Sequence, residues 1–189
     1  DRAVSGDHGP GGASQAATTD LAVLSQLADG ELIRVSVQRE AVITGRVRLG
    51  PSPPDPSVGR TMANGLDKTL YALAEQGGHS PDRILVLDAV TLSVRSAHDL
   101  PLPTRYRGLA FGSRTNRVYL FGDRPPGQSG AGAWLTVVDP DGTVLGSWQV
   151  RSGGDRDWRV HTGSVSPDER YAVVSYHGED TTGADIVRL

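Results

Sequence analysis

The sequence predicts an all-β fold of β-propeller type, and three observations carry that prediction. Short runs rich in Val, Leu, Ile and Tyr are each bounded by Gly, Pro, Asp or Asn. Few windows hold an apolar period of about 3.6 residues. Two elements recur together about every 50 residues, the spacing of propeller blades and not of a sandwich. Turn formers run through all 189 residues, with Gly 24 and Pro 12, so long helices have little room and helix is expected below about a tenth of the chain.

Taken in order, residues 1–19 are small and polar, with Gly6-Asp7-His8-Gly9-Pro10 near their start, and read as a flexible arm or linker. Residues 20–189 read as a partial propeller. The first unit, about 20–49, offers strands at 20–26, 31–38 and 41–48. The second, about 58–101, offers 59–64, 69–75, 83–88 and 91–96. The third, about 105–150, offers 107–112, 117–122, 133–139 and 143–150; the fourth, about 158–189, offers 160–165, 171–176 and 184–189.

The repeat is explicit. Leu70-Tyr71-Ala72-Leu73-Ala74-Glu75 recurs in the next unit as Val118-Tyr119-Leu120-Phe121-Gly122-Asp123, then as Tyr171-Ala172-Val173-Val174-Ser175-Tyr176, and Leu21–Gln26 stands one unit earlier. In phase with it, Ile33–Val37 recurs as Ile84–Asp88 and, after the same interval again, as Leu135–Asp139. Within the third unit, turns at Ser113–Asn116 and Asp139-Pro140-Asp141-Gly142 link the strands, Pro setting φ and Gly accepting a positive one. Each unit is thus a four-stranded antiparallel meander, with the strands at 107–112 and 160–165 innermost. Stacking buries both faces of such a sheet, which accounts for strands that are apolar on both sides.

About three and a half blades are present, against about four to eight in a closed ring. The fourth unit is expected to stop in its third strand, near Ile186–Leu189. The chain therefore reads as a fragment lacking about half the ring, and its start at Asp1 as a processed or trimmed form; self-association of two copies that complete each other is the alternative. A net charge of −3 gives no general attraction to nucleic acid. No apolar run approaches the ~20 residues of a membrane helix, and the absence of cysteine excludes disulfides, thiolate metal sites and a cysteine nucleophile.

Gly108-Leu109-Ala110-Phe111-Gly112-Ser113-Arg114-Thr115-Asn116-Arg117-Val118-Tyr119-Leu120 resembles the first half of the YVTN-type bacterial propeller repeat: a small-residue strand, a tight turn and an aromatic strand. Val165-Ser166-Pro167-Asp168-Glu169-Arg170-Tyr171-Ala172-Val173 is similar to the same half, and Ile84–Val94 to the second half. The resemblance covers about 20–189 and implies a seven-bladed, WD-like, bacterial and secreted or cell-envelope setting. It implies a binding or scaffold domain for a partner protein or small acidic ligand. The alternative is a propeller enzyme, either a metal-assisted hydrolase or lactonase or a subunit of a redox enzyme. Its motifs specify a blade, and no cofactor follows from them.

Candidate site residues come from the repeat. Arg60, Arg107 and His161 align just before the innermost strands, where three cationic or donor side chains would face a carboxylate or phosphate at the channel mouth. As loop side chains they are expected to contribute little packing, so replacing Arg107 should weaken an acidic ligand and spare the melting temperature. Asp157 and Trp158 join them as ligand-binding candidates, and Asp157 with His161 has the makings of an acid and base pair. His161, His177, Glu179 and Asp180 supply donors for a metal. Trp134, Trp148 and Trp158 are expected between blades. No nucleophile elbow, phosphate loop or His-Glu-x-x-His occurs.

Overall fold

A computed structural model describes residues 22–26, 31–36, 42–48, 62–74, 81–101, 104–124, 129–152, 159–178 and 181–189. Among these there is no helix, and hence none long and apolar enough to cross a membrane. The strands form four antiparallel meanders. Sheet one is β1 (Ala22–Gln26), β2 (Glu31–Ser36) and β3 (Val42–Arg48). Sheet two is β4 (Met62–Asn64), β5 (Thr69–Ala74), β6 (Arg83–Asp88) and β7 (Val94–Asp99). Sheet three is β8 (Arg105–Gly112), β9 (Arg117–Arg124), β10 (Gly132–Val138) and β11 (Val144–Ser152). Sheet four is β12 (Arg159–Val165), β13 (Tyr171–Gly178) and β14 (Thr181–Arg188). The chain is thus all-β, a run of propeller blades, and among the described residues two have four strands and two have three.

The period-two alternation of a strand explains why both faces are apolar. On β5, Leu70, Ala72 and Ala74 pack with Leu32 of sheet one, while Tyr71 and Leu73 pack with Tyr106, Leu109 and Leu120 of sheet three. On β9 the same division holds: Val118 and Leu120 turn to sheet two, Tyr119 and Phe121 to Ala172 and Val174 of sheet four. Three apolar clusters therefore join the sheets in series, and β8 packs against β4 on one side and β12 on the other. Those three strands are the innermost of their sheets.

Polar contacts reinforce the stack. Tyr71 Oη donates to the Pro140 carbonyl at 3.0 Å, and Ser96 Oγ to the Asp141 carbonyl at 2.8 Å, tying sheet two to the outer turn of sheet three. Glu169, in the β12–β13 turn, accepts from the Arg114 and Thr115 amides at 2.5 and 3.1 Å and from Thr115 Oγ1. That carboxylate binds the turn between β8 and β9.

Two expectations need correction. The strand expected at 91–96 begins at Val94, because Asp88 Oδ1 accepts from the Val90 and Thr91 amides at 2.9 Å each and holds 89–91 in a turn; Leu92 follows in the left-handed region at φ 58° and is buried. Trp148 is 54% exposed and lies on the outer part of sheet three instead of between blades. Trp134 is half-buried on β10, its Nε1 donating to the Gly130 carbonyl at 2.7 Å beneath the Arg124 guanidinium. Trp158 lies outside the described residues.

Candidate functional site

The inner strands β8 and β12 share one irregularity. In β8 the pairing with β9 steps from Tyr106↔Gly122 to Gly108↔Phe121, making Arg107 the extra residue of a bulge. In β12 it steps from Val160↔Tyr176 to Thr162↔Ser175, leaving His161 in the same position. A bulge bends the strand and re-aims the extra side chain. Arg107 and His161 are thus structurally equivalent residues of successive blades.

Each bulge residue meets the side chain at the corresponding place on the second strand. Arg107 Nε lies 3.7 Å from Asp123 Oδ1, with side chains only 13% and 6% exposed. His161 Nε2 lies 3.1 Å from His177 Nδ1, the rings tilted by 40° with centroids 4.9 Å apart. His177 follows Asp123 in the chain at the same interval at which His161 follows Arg107. Sheet three therefore carries a cation and a carboxylate where sheet four carries two imidazoles.

Asp123 links the two sheets. Its Oδ1 also accepts from the Val160 amide, the residue before His161, at 3.3 Å. Burial pushes its carboxyl above the usual range, against the pull of Arg107, the Val160 N–H, Arg105 and Arg159. Arg105 and Arg159 are exposed, and Arg159 pairs with His177 across the β12–β13 ladder. One buried carboxylate thus sits among three guanidinium groups, and the imidazole pair lies beside them on the open side.

Of the sequence candidates, the structure joins His161 to His177 and places Arg107 in the adjoining blade. Arg60, Asp157, Trp158, Glu179 and Asp180 lie outside the described residues. Arg107 differs from expectation: it is a strand residue, largely buried and ion-paired, because the bulge turns it inward to the carboxylate on β9. The match of Val118–Asp123 to Tyr171–Tyr176 is also one residue short, since Phe111↔Val118 and Val165↔Ala172 are the equivalent pairs. Asp123, Arg105 and Arg159 were missed. The signal for Asp123 is an acidic residue at the end of the second strand, which has its counterpart in the preceding unit as Glu75, outside the described residues.

Among solved structures, hydrazine synthase from Kuenenia stuttgartiensis, a propeller-type fold, matches with a TM-score of 0.54 at 11% identity, over 89% of this chain and 68% of that one. A structure titled as the eukaryotic initiation factor matches with a TM-score of 0.46 at 11% identity, over 89% of this chain and 40% of that one. The first likeness supports the propeller fold and nothing finer. No family model matches the chain, and no curated protein matches it.

Proposed function

We propose that this chain is a propeller binding or scaffold module that recognises an acidic group, on a partner protein or a small molecule, at the inner-strand rim of sheet four. The observation that carries the reading is that the pair His161 and His177 stands where sheet three has Arg107 and Asp123. In sheet three the bulge cation already has its carboxylate. In sheet four the corresponding place offers imidazole donors, with Arg159 on the same strand as His161 and opposite His177 in the ladder, and no acid in the pair. A carboxylate or phosphate seated there takes charge-assisted hydrogen bonds, and the buried neighbour Asp123 excludes a second anion from sheet three. Membership of the YVTN-type repeat, and with it a bacterial cell-envelope setting, belongs to the same reading and rests on the resemblance of 108–120 and 165–173.

Imidazole nitrogen chemical shifts test the reading directly. Titration with succinate and with inorganic phosphate is expected to move the His161 and His177 resonances saturably, and Arg159→Gln to weaken both effects about tenfold. Resonances that do not move, or that move equally in Arg159→Gln, overturn it.

A second reading, the metal-assisted enzyme, draws on one observation. Two imidazole nitrogens 3.1 Å apart have the spacing of neighbouring ligands on one zinc, whose Zn–N bonds are about 2.0–2.1 Å. Glu179 and Asp180 follow His177 in sequence. Zinc titration followed by calorimetry tests it: stoichiometric binding lost in both His161→Ala and His177→Ala supports a metal site, and its absence leaves the anion site alone.

A further inference from the structure

Sheets three and four meet at one carboxylate. Asp123 belongs to β9 of sheet three and is only 4% exposed, yet its Oδ1 accepts from the Val160 amide of sheet four at 3.3 Å. Val160 is the residue before the bulge, and its side chain lies in the apolar cluster that holds Phe121 of β9. Beyond the bulge, a Cβ on Gly163 would stand 2.3 Å from the Phe121 ring. β12 is therefore seated on β9 at both sides of His161, by a hydrogen bond and apolar contact before it and by close backbone-to-ring packing after it. Sheet three fixes the strand that presents the imidazole.

Charge crosses the same boundary. Asp123 interacts with Arg105 and Arg107 of its own sheet and with Arg159 of sheet four. Arg159 stands opposite His177 in the β12–β13 ladder, so the carboxylate draws on a cation that belongs to the anion site. A buried charge is weakly screened by water and salt, and its field reaches past its immediate neighbours. The Asp123 carboxylate thus opposes an anion at the imidazole pair, and the Arg107 guanidinium, 13% exposed with Nε 3.7 Å away, offsets that opposition.

Taking the anion site proposed above as given, we propose that the Arg107 and Asp123 pair of sheet three sets its affinity across the blade boundary. Both are positioning residues that act on the anion without touching it. The charge of Asp123 holds affinity down, its Oδ1 keeps the His161 bulge in place, and Arg107 moderates the charge. Substitution separates the two roles of Asp123, since Asn keeps an acceptor oxygen and loses the charge, whereas Ala loses both.

Inorganic phosphate is the probe, titrated into the full chain at one pH and ionic strength while the His161 and His177 nitrogen resonances are followed. Asp123→Asn is expected to tighten phosphate at least threefold and Arg107→Gln to weaken it at least threefold, with the double variant returning close to the native affinity. Asp123→Ala should displace the His161 resonances before phosphate is added, which Asp123→Asn should not. Asp99→Asn, which removes an exposed carboxylate from sheet two, should leave affinity unchanged. Circular dichroism confirms that each variant is folded, and Arg107→Gln with the double variant carries the test should Asp123→Asn alone not fold. A purely structural role would lower affinity in both single variants. Loss in both, or any other departure from opposite signs, therefore overturns the proposal and leaves the anion site standing. An equal gain in Asp99→Asn also overturns it, by making net charge the cause. A native chain whose resonances ignore phosphate overturns the anion site and the coupling together.

Discussion

Arg107 and His161 are the extra residues of equivalent bulges in adjacent inner strands, and each faces a side chain near the end of the strand that follows. The blade thus keeps the position of a polar pair while changing its chemistry. How firmly such groups are held can be measured residue by residue.

Arg107→Ala should cost about 3 kcal/mol of folding stability, because it leaves the 6%-exposed Asp123 carboxylate without its ion-pair partner. Adding Asp123→Asn should recover a good part of the loss. Urea denaturation of the two single variants and the double variant measures the coupling; additive losses would show that the pair does not act as a unit.

The pH dependence of Asp123 has a definite sign. Burial raises its folded value above the ordinary 3.8, so between that value and the raised one the folded state holds a proton that the unfolded state releases. Its stability contribution is greatest below the ordinary value and declines as pH rises through the interval. The stability of the native chain relative to Asp123→Asn should therefore fall from about pH 4 upward, as read by denaturation at a series of pH values.

Glu169 runs the other way. Burial pushes its carboxyl up, but hydrogen bonds from Thr115 Oγ1 and from the Arg114 and Thr115 amides outweigh burial and leave it below the ordinary 4.5. Its contribution is present above the ordinary value and disappears as pH falls through the lowered one. Glu169→Ala should cost about 1–2 kcal/mol at neutral pH, with the difference closing in acid. Thermal melts of the two proteins across the acid range check both the size and the direction.

Gly163→Ala tests the packing of sheet three on sheet four. A Cβ there would stand 2.3 Å from the Phe121 ring, which is fully buried and cannot swing away. A loss of about 1–3 kcal/mol is expected from overpacking. An unchanged melting temperature would mean that the two sheets separate more easily than their shared cluster implies.

Much of the fold was legible because it depends on local chemistry. Alternating residues such as Leu70 to Ala74 must bury two faces, and turns such as Asp139–Gly142 have few other uses, so a strand stands in each place where the sequence led us to expect one. The site was legible only halfway. The repeat aligned Arg107 with His161, but the second strands are apolar on both faces, so residue similarity there does not fix the register. It matched Tyr171 to Val118 and Tyr176 to Asp123, one residue off, concealing the equivalence of Asp123 and His177. The burial of Arg107 was unreadable because it depends on where the bulge points. Trp148 reads as core by type, and its exposure follows from Gly146, which lets the ring lie along the sheet.

The three apolar clusters, each shared by two neighbouring sheets and none by more, make the folding free energy a sum of nearest-neighbour couplings. Sheets two and three have a coupling on either side; sheets one and four, among the described residues, have one each. Amide exchange should therefore be slowest along β5 and β9, each of which feeds a shared cluster on both of its faces, and a local opening of one sheet should be felt by its immediate neighbours alone. An anion bound at the imidazole pair would then steady sheet four and, through the cluster around Phe121, sheet three, while leaving sheet one as it was.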